Sequence, residues 1–428
     1  MIKKSFILFI LSVVLLSFSS TSFSEEKKLT VEESVITAVS NNYDLASDKL
    51  GPEIAEKDIK IEEGAFNSVL FSDLTLFRGV DPSGSSLLGP RLRTDNFDGN
   101  VGIKKNYSLG GNFKLTFNNN YLDAPSTIQT LAPQYKSILN FSFTQPLLKN
   151  FGKEVATSRI VIARKSAEIA KNLYKEKLTS LIQQVINSYW DLVLAKKDLE
   201  AKKKSFERAI KLKEQNEIQV KVGTLAQIEV TQALATVASR KEGVIVAENT
   251  LNNAQDNLRR LLNANKNPVN YNPAIITVEE PVVKEINAKE DEVIKKSIEN
   301  SYALNEAKLD LENKTLTVKV AKSQKLPQVD LIGNFALTGL SGKYHPSSTA
   351  TSLVSPFAGN YNDNLDTMSK GDYYQWSAGI HFEYPLGNEA AVNTYKKRIF
   401  EMERAKLLLK SLKLFFPYKG CLLYLSRP

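Results

Sequence analysis

The stretch LNFSFTQPLLKN, at Leu139–Asn150, alternates apolar and polar residues up to a Pro-Leu pair, and a lysine-rich run that favours helix follows it. The stretch AGIHFEYPLGN, at Ala378–Asn388, repeats this order far downstream. Proline removes a donor from a strand ladder and fits the first turn of a helix. Both pairs are therefore predicted to mark the change from a strand to a helix. These junction residues are Pro146, Leu147, Pro385 and Leu386.

The strand before the second junction has one apolar and one polar face. About nine residues of such alternation, with aromatic residues at the ends, suit a tilted strand that crosses a bilayer beside a wet lumen. A half-buried strand of a soluble sandwich is the alternative for this strand taken alone. The residues predicted to face lipid are Trp376, Ala378, Ile380, Phe382 and Tyr384.

Composition and the N-terminus exclude several classes of protein. The 56 basic and 47 acidic residues give a net charge of +9, but they are interspersed and do not point to nucleic acid. Lys3 and Lys4 precede an apolar run and small residues, so residues 1–24 are predicted to be a secretory signal peptide. No later run approaches the roughly 18 apolar residues of a membrane helix. Any membrane crossing is therefore predicted to use strands.

The middle of the chain reads as two long helices. From Glu154 to Val222 there is neither glycine nor proline, and two neighbouring apolar stripes predict a helix packed against more than one partner, as in a ring of coiled coils. Gly223 interrupts this pattern, and a second helix is predicted from about Leu225 to Asn263. The two helices form a predicted α-hairpin with VKVGTLAQIEV at its tip.

Before the first junction lie a helix and a hairpin. Residues 29–63 read as helix, with a capping box from Thr30 to Glu33 and a kink or break expected at Pro52. Residues 98–121 alternate on both sides of a Gly-Gly turn and read as an extra hairpin, for which the sequence assigns no place.

The order of elements occurs twice. NNYDLASDKL at Asn41–Leu50 matches NSYALNEAKL at Asn300–Leu309, and each copy leads through strands and a Pro-Leu junction to a new helix. This indicates an internal duplication of a large unit. The predicted parts are a signal peptide (1–24), a first repeat (25–265), an irregular linker (266–287), an incomplete second repeat (288–413) and a discordant tail (414–428).

Two spanning strands per repeat predict about four per chain. A sheet in a membrane cannot leave an open edge, and bacterial barrels need at least about eight strands. One chain therefore cannot close a barrel, and several copies are expected to share it.

Together these motifs resemble the TolC-like outer-membrane efflux protein family over nearly all of residues 29–405. The resemblance is carried by FTQPLLKNFG, FEYPLGN, VINSYWDLVLAKKDL and VKVGTLAQIEVTQALATV, in that element order. It implies a mixed α and β fold, in which a 12-stranded outer-membrane β-barrel, four strands per chain, continues into a long periplasmic α-helical coiled-coil barrel. The implied function is the exit duct of a tripartite efflux pump or a type I secretion system.

The resemblance also implies partners. They are two further copies in a homotrimer, outer-membrane lipid, and a periplasmic adaptor that leads to an inner-membrane transporter. Gln219 stands where the family often has arginine, and a plain helix C-cap is the alternative for Gly223. The residues implied to contact the adaptor are Val222, Gly223, Thr224, Leu225 and Gln227.

No residues support catalysis or a cofactor. His345 and His381 are the only histidines and Cys421 is the only cysteine, without the spacing of a metal site. The alternative to a duct is a periplasmic adaptor, which would show one α-hairpin and a lipoyl-like β-module rather than two strand-Pro-Leu junctions.

The C-terminal end departs from the pattern of the first repeat. Only 43 residues follow Pro385, and the heptad pattern fails after about Leu414. We expect a truncated or frameshifted product, possessing one tunnel hairpin in place of two.

Overall fold

The structure is a computed structural model that describes residues 27–84, 91–124, 130–262, 275–281, 289–344 and 355–425. The predicted signal peptide lies outside these ranges. The chain divides into two compact units, Met1–Gly51 with Leu173–Ala288 and Pro52–Asn172 with Lys289–Pro428. The second unit combines parts of both sequence repeats.

The helices and strands follow one another twice in similar order. The helices are α1 (Val31–Asn41), α2 (Tyr43–Glu63), α3 (Lys153–Ala156), α4 (Ser158–Lys221), α5 (Gln227–Leu262), α6 (Glu290–Glu299), α7 (Tyr302–Gln324), α8 (Tyr361–Ser369) and α9 (Glu389–Leu425). The strands are β1 (Lys27–Leu29), β2 (Val69–Pro82), β3 (Arg91–Asn106), β4 (Asn112–Asp123), β5 (Leu131–Pro146), β6 (Ile275–Thr277), β7 (Gln328–Tyr344) and β8 (Tyr374–Glu383).

The two matching sequence segments start helices in the same way. Asn42 Oδ1 accepts a hydrogen bond from the Leu45 amide at the start of α2, and Ser301 Oγ accepts one from the Leu304 amide at the start of α7. These side chains satisfy amides that have no partner within the helix. The caps lie at corresponding positions of the two repeats.

Several predicted helix boundaries were wrong. The capping box from Thr30 to Glu33 is confirmed, but α2 continues through Pro52 and the break lies at Asn42, where the capping geometry ends α1. The first long helix is interrupted at Thr157, between α3 and α4. At the other end α9 continues to Leu425, so helix extends into the segment interpreted as a discordant tail.

Tyr189 is at the centre of the first unit. It is fully buried, its hydroxyl donates to the Leu29 carbonyl oxygen at 3.0 Å, and it accepts from the amides of Val278 and Glu279 at 3.2 and 3.3 Å. Leu29 ends β1, which pairs in parallel with β6. The linker that was predicted to be irregular therefore contains a strand, because this pairing satisfies its backbone groups.

The second unit is built around one antiparallel sheet in the order β2-β3-β4-β5-β7-β8. The sheet has two strands more than the roughly four spanning strands that the sequence predicts. Residues 98–121 supply most of β3 and β4, which pair with each other and lie between β2 and β5. Their backbone groups find ladder partners on both sides, which gives the extra hairpin its place.

Helices cover the end of the unit where the chain leaves the sheet. Here α9 packs along α7 and against α6. Arg164 on α4 forms an ion pair of 2.9 Å with Glu63 on α2. Hydrogen bonds from Lys60 and from Arg164 lower the pKa of Glu63. Among the described residues, none of the helices has both the length and the apolarity needed to cross a membrane.

Candidate functional site

The register of the sheet sorts its side chains into two faces, because directly paired residues point to the same side. One face is mainly apolar on all six strands. Its members include, from β2 to β8, Leu70, Leu74, Leu76, Phe97, Val101, Ile103, Phe113, Leu115, Phe117, Leu139, Phe141, Phe143, Val329, Leu331, Phe335, Leu337, Trp376, Ala378, Ile380 and Phe382.

The opposite face is mainly polar. It carries hydroxyl and charged groups on every strand and side-chain amides on every strand except β2, which is the pattern of a surface in contact with water. Its members include Asp73, Thr75, Asn96, Asp98, Asn100, Lys104, Lys114, Thr116, Asn118, Asn120, Lys136, Asn140, Ser142, Thr144, Asp330, Asn334, Thr338, Gln375, Ser377, His381 and Glu383.

The residues predicted to face lipid are exposed in the single chain. Trp376, Ile380 and Phe382 keep 72%, 70% and 66% of their surface, and Ala378 is also exposed. Tyr384 is exposed too, but it lies one residue beyond the end of β8. An apolar face of this extent needs a cover that the described part of the chain does not supply.

Two strands form the edges of this sheet. Within the described residues β2 pairs with β3 alone and β8 with β7 alone. The edge strands are 14 and 10 residues long, so each leaves a row of backbone donors and acceptors on its outer side.

The first junction does not pass directly from proline into helix. Pro146 is the last residue of β5, opposite Asp330, and the Leu147 amide donates to the Val329 carbonyl oxygen at 2.7 Å. The chain then turns through Asn150, whose φ of 64° lies in the left-handed region. The expectation of a helix start at the proline was therefore wrong, since α3 begins only at Lys153.

The second junction has a similar turn. Pro385 follows β8, Leu386 is 98% exposed, and Asn388 has a φ of 41° immediately before α9. Asn388 Nδ2 donates to the Lys325 carbonyl oxygen at 3.0 Å, just after α7.

Asn150, the asparagine of the first junction, is also held by the C-terminal end of α7. Its amide donates to Ser323 Oγ at 3.1 Å, and its side chain bonds to Gln324. The C-terminal end of α7 thus anchors both junctions. The predicted Pro-Leu pairs mark the strand ends, and the asparagines that follow them make the turns.

The tip of the hairpin between α4 and α5 is a Schellman motif. The Thr224 amide donates to the Gln219 carbonyl oxygen at 2.9 Å, and the Gly223 amide donates to the Val220 carbonyl oxygen at 3.0 Å. Gly223 has a φ of 81°, in the left-handed region that glycine adopts without strain. A Cβ atom there would meet no atom within 4 Å, so the tip offers open space around its backbone.

The predicted tip residues are brought together at this turn. Val222, Gly223 and Thr224 are exposed, and Leu225 is half-buried. Gln227 is exposed and is the first residue of α5, which begins two residues later than predicted. The structure thus brings the five residues together at one short turn, where Val222 is 70% exposed.

The sequence analysis did not predict α8, a short helix that packs on the apolar side of the sheet. Asn364 is fully buried, its Nδ2 donates to Ser137 Oγ at 2.6 Å, and its Oδ1 accepts from the Ser137 amide at 3.3 Å. Ser137 Oγ in turn donates to Asn119 Oδ1 at 2.7 Å. The small and polar residues that interrupt the apolar face here therefore form the contact surface for α8.

No cluster of candidate metal ligands occurs in the part of the chain that the structure describes. His381 Nε2 lies 3.7 Å from a carboxylate oxygen of Glu383, and both side chains are exposed. His345 lies outside the described residues.

Comparison with known proteins agrees with this geometry. Residues 113–264 match the family model of the outer membrane efflux protein. The outer-membrane channel OprN has a TM-score of 0.59 at 13% identity, over 90% of this chain and 71% of that one. CusC, described as forming a transmembrane channel, has a TM-score of 0.59 at 13% identity, over 92% of this chain and 75% of that one. The CmeC outer membrane channel of Campylobacter jejuni has a TM-score of 0.58 at 16% identity, over 90% of this chain and 68% of that one.

None of the curated proteins compared with the chain matches it. At these identities the likeness to solved structures establishes the fold, and the family match rests on the segment from β4 to the end of α5. Proteins of this family are passive channels, not enzymes. Residues 113–264 thus match the family model of the outer membrane efflux protein, and the chain has the fold of the outer-membrane channels OprN, CusC and CmeC.

Proposed function

We propose that the chain is the outer-membrane exit duct of a tripartite efflux pump or a type I secretion system. The observation that carries this proposal is the sheet with one exposed apolar face and one polar face across all its strands. Lipid covers the apolar face and water fills the lumen beside the polar face, because a spanning sheet must satisfy both solvents.

The duct is a homotrimer in this proposal. The open edges of β2 and β8 support it, because a sheet in lipid has to be closed, and neighbouring copies supply the missing partners. The family to which the sequence is similar assembles in this way. The long helices α4 and α5 form the wall of a periplasmic tunnel, packed against the helices of neighbouring copies.

The α4–α5 tip is the contact with a periplasmic adaptor. Its supports are the exposed loop, the exposed Val222, and a glycine whose missing side chain lets another backbone approach closely. Through the adaptor the duct receives cargo from an inner-membrane transporter. The Gln219 carbonyl oxygen accepts a hydrogen bond in the Schellman turn, so this residue lies beside the proposed contact.

Two neighbouring residues of β8 provide the test. Ile380 belongs to the apolar face and His381 to the polar face, at nearly the same depth. A lysine on the lipid face near the bilayer midplane costs about 2–4 kcal/mol, whereas a lumen substitution costs little. We expect Ile380→Lys to reduce the yield of heat-sensitive oligomer in outer-membrane fractions strongly, and His381→Lys to leave it near wild type.

Equal yields from the two variants would contradict the lipid-facing assignment. A chain recovered in the soluble periplasmic fraction, with no heat-sensitive oligomer, would instead favour the periplasmic adaptor. That alternative is disfavoured by the six-stranded sheet, which has two faces of opposite polarity and an apolar face that the described residues leave largely exposed.

A further inference from the structure

We infer that β3 and β4 are wall strands of the membrane barrel, so that three copies close a barrel of 18 strands and a lumen wide enough for polypeptide-sized cargo. This inference rests on the proposed function. It departs from the 12 strands that the family resemblance implies, because each chain here contributes six strands to one continuous sheet.

The first support is the pairing of the hairpin. β3 pairs with β2 from Val69↔Lys104 to Pro82↔Arg91, along the whole of β2. On the other side β4 pairs with β5 from Asn112↔Thr144 onward. The hairpin therefore separates β2 from β5, and folding it out of the wall would break two ladders.

The second support is the continuity of the two faces through the hairpin. Leu115 on β4 lies directly opposite Phe141 on β5 and Ile103 on β3. One residue further along, Thr116 lies opposite Asn140 on the other face. A hairpin used outside the membrane, or folded as a plug into the lumen, would not need its apolar residues in line with those of the spanning strands.

The third support is the position of the hairpin turn. Tyr107 Oη donates to Gln145 Oε1 at 2.6 Å, and the Gly152 amide donates to the Leu109 carbonyl oxygen at 3.2 Å. At Gly110, with a φ of 94°, a Cβ would lie only 2.3 Å from the Asn150 carbonyl oxygen. The turn is thus built into the strand-to-helix junction, and the hairpin extends over the full height of the sheet.

The strand directions permit closure. All neighbours in the sheet are antiparallel, so β8 runs opposite to β2. The β8 edge of one copy can therefore pair antiparallel with the β2 edge of the next. Three copies give an even number of alternating strands, as bacterial barrels require.

The added strands change the width of the lumen. With strands about 4.8 Å apart and tilted by about 40°, a 12-stranded barrel has a backbone diameter of about 24 Å and an 18-stranded one about 36 Å. Side chains take roughly 5 Å from each wall, half of the spacing between packed sheets. The wider lumen therefore admits two α-helices side by side, each about 10–12 Å across, where the narrower one admits a single helix.

Spin labels on β4 test the wall assignment in the whole assembled protein. A Cys421→Ser background receives either Leu115→Cys or Asn118→Cys, which lie on opposite faces. In lipid nanodiscs we expect the label at 115 to be relaxed at least several-fold more by oxygen than by a water-soluble nickel chelate, and the label at 118 to show the reverse. Preferential relaxation of the 115 label by the nickel chelate would overturn the inference.

Electron cryomicroscopy of the same oligomer counts the strands. We expect 18 strands around a ring about 1.5-fold wider than a 12-stranded one. A ring of 12 strands, with β3 and β4 outside it, overturns the inference even when the protein is a duct. A label at Ile380→Cys separates the two proposals, because nickel-chelate access at both 115 and 380 overturns the proposed function as well.

Discussion

Phe141 of β5 lies directly opposite Phe335 of β7, and both side chains are exposed on the apolar face. β5 ends the strand region of the first repeat and β7 begins that of the second. Direct cross-strand partners have Cβ atoms about 4.5–5.5 Å apart, and aromatic pairs of this kind stabilise a sheet by about 0.2–1 kcal/mol. The seam between the repeats is therefore an antiparallel ladder, which joins the strands of both repeats in one sheet.

A disulfide can test this seam. In a Cys421→Ser background, we expect Phe141→Cys with Phe335→Cys to oxidise to an intrachain bond, detected as a shift in gel mobility that a reducing agent reverses. Phe141→Cys with Leu331→Cys is the control. Leu331 lies on the same face of β7 but pairs with Gln145, too far away for a disulfide. Oxidation of the control pair alone would show a different register.

Two substitutions at Gly223 distinguish an adaptor contact at the tip from a purely structural role of this glycine. Asparagine tolerates the left-handed region, and the added side chain meets open space, so Gly223→Asn should keep the turn. We expect its oligomer yield to equal wild type and its export to fall at least tenfold, because the bulk keeps the adaptor away. Normal export would contradict the contact role. Gly223→Val should lose export too, and it should destabilise the turn by about 1–2 kcal/mol.

The hydroxyl of Tyr189 should be needed for stability. Tyr189→Phe removes the partner of the Leu29 carbonyl and of the Val278 and Glu279 amides. Leaving a buried polar group such as the Leu29 carbonyl unpaired costs about 1–3 kcal/mol. We expect a lower midpoint of thermal unfolding by circular dichroism. The exposed Tyr43 gives a control, since Tyr43→Phe should leave the midpoint unchanged.

Asn364 should hold α8 on the sheet. Asn364→Leu fits an apolar side chain into the site but leaves the Ser137 hydroxyl and amide without this partner. We expect faster proteolytic cleavage around α8 in intact oligomers, with little change in oligomer yield. Asp366 on the exposed side of the same helix forms an ion pair with surface Lys370, so Asp366→Asn should be cleaved at the wild-type rate.

The alternation of side chains predicted the strands well, because the apolar face of β8 and the hairpin around Gly110 depend on local sequence. The number of strands in the sheet was not predicted. Val101 and Ile103 showed the alternation of β3, but alternation does not say which strand pairs with which. Pairing is decided by ladder contacts between distant segments, and those placed the extra hairpin between β2 and β5.

The candidate site was predicted in part, for a similar reason. The glycine and proline signals gave the tip and the strand ends. The turns at Asn150 and Asn388 were missed, because their left-handed backbone is stabilised by the distant end of α7. The network around Asn364 depends on the packing of α8 against a distant part of the chain, which the local sequence does not specify.

The two free edges of the sheet also bear on the order of events during biogenesis. In hydrocarbon, each backbone group without a partner costs several kcal/mol, so a single chain would meet a large barrier along β2 and β8. In water, the same edges would pair with any available strand. Copies are therefore expected to join edge to edge before or during insertion, so that closed rings insert into the bilayer and single chains do not.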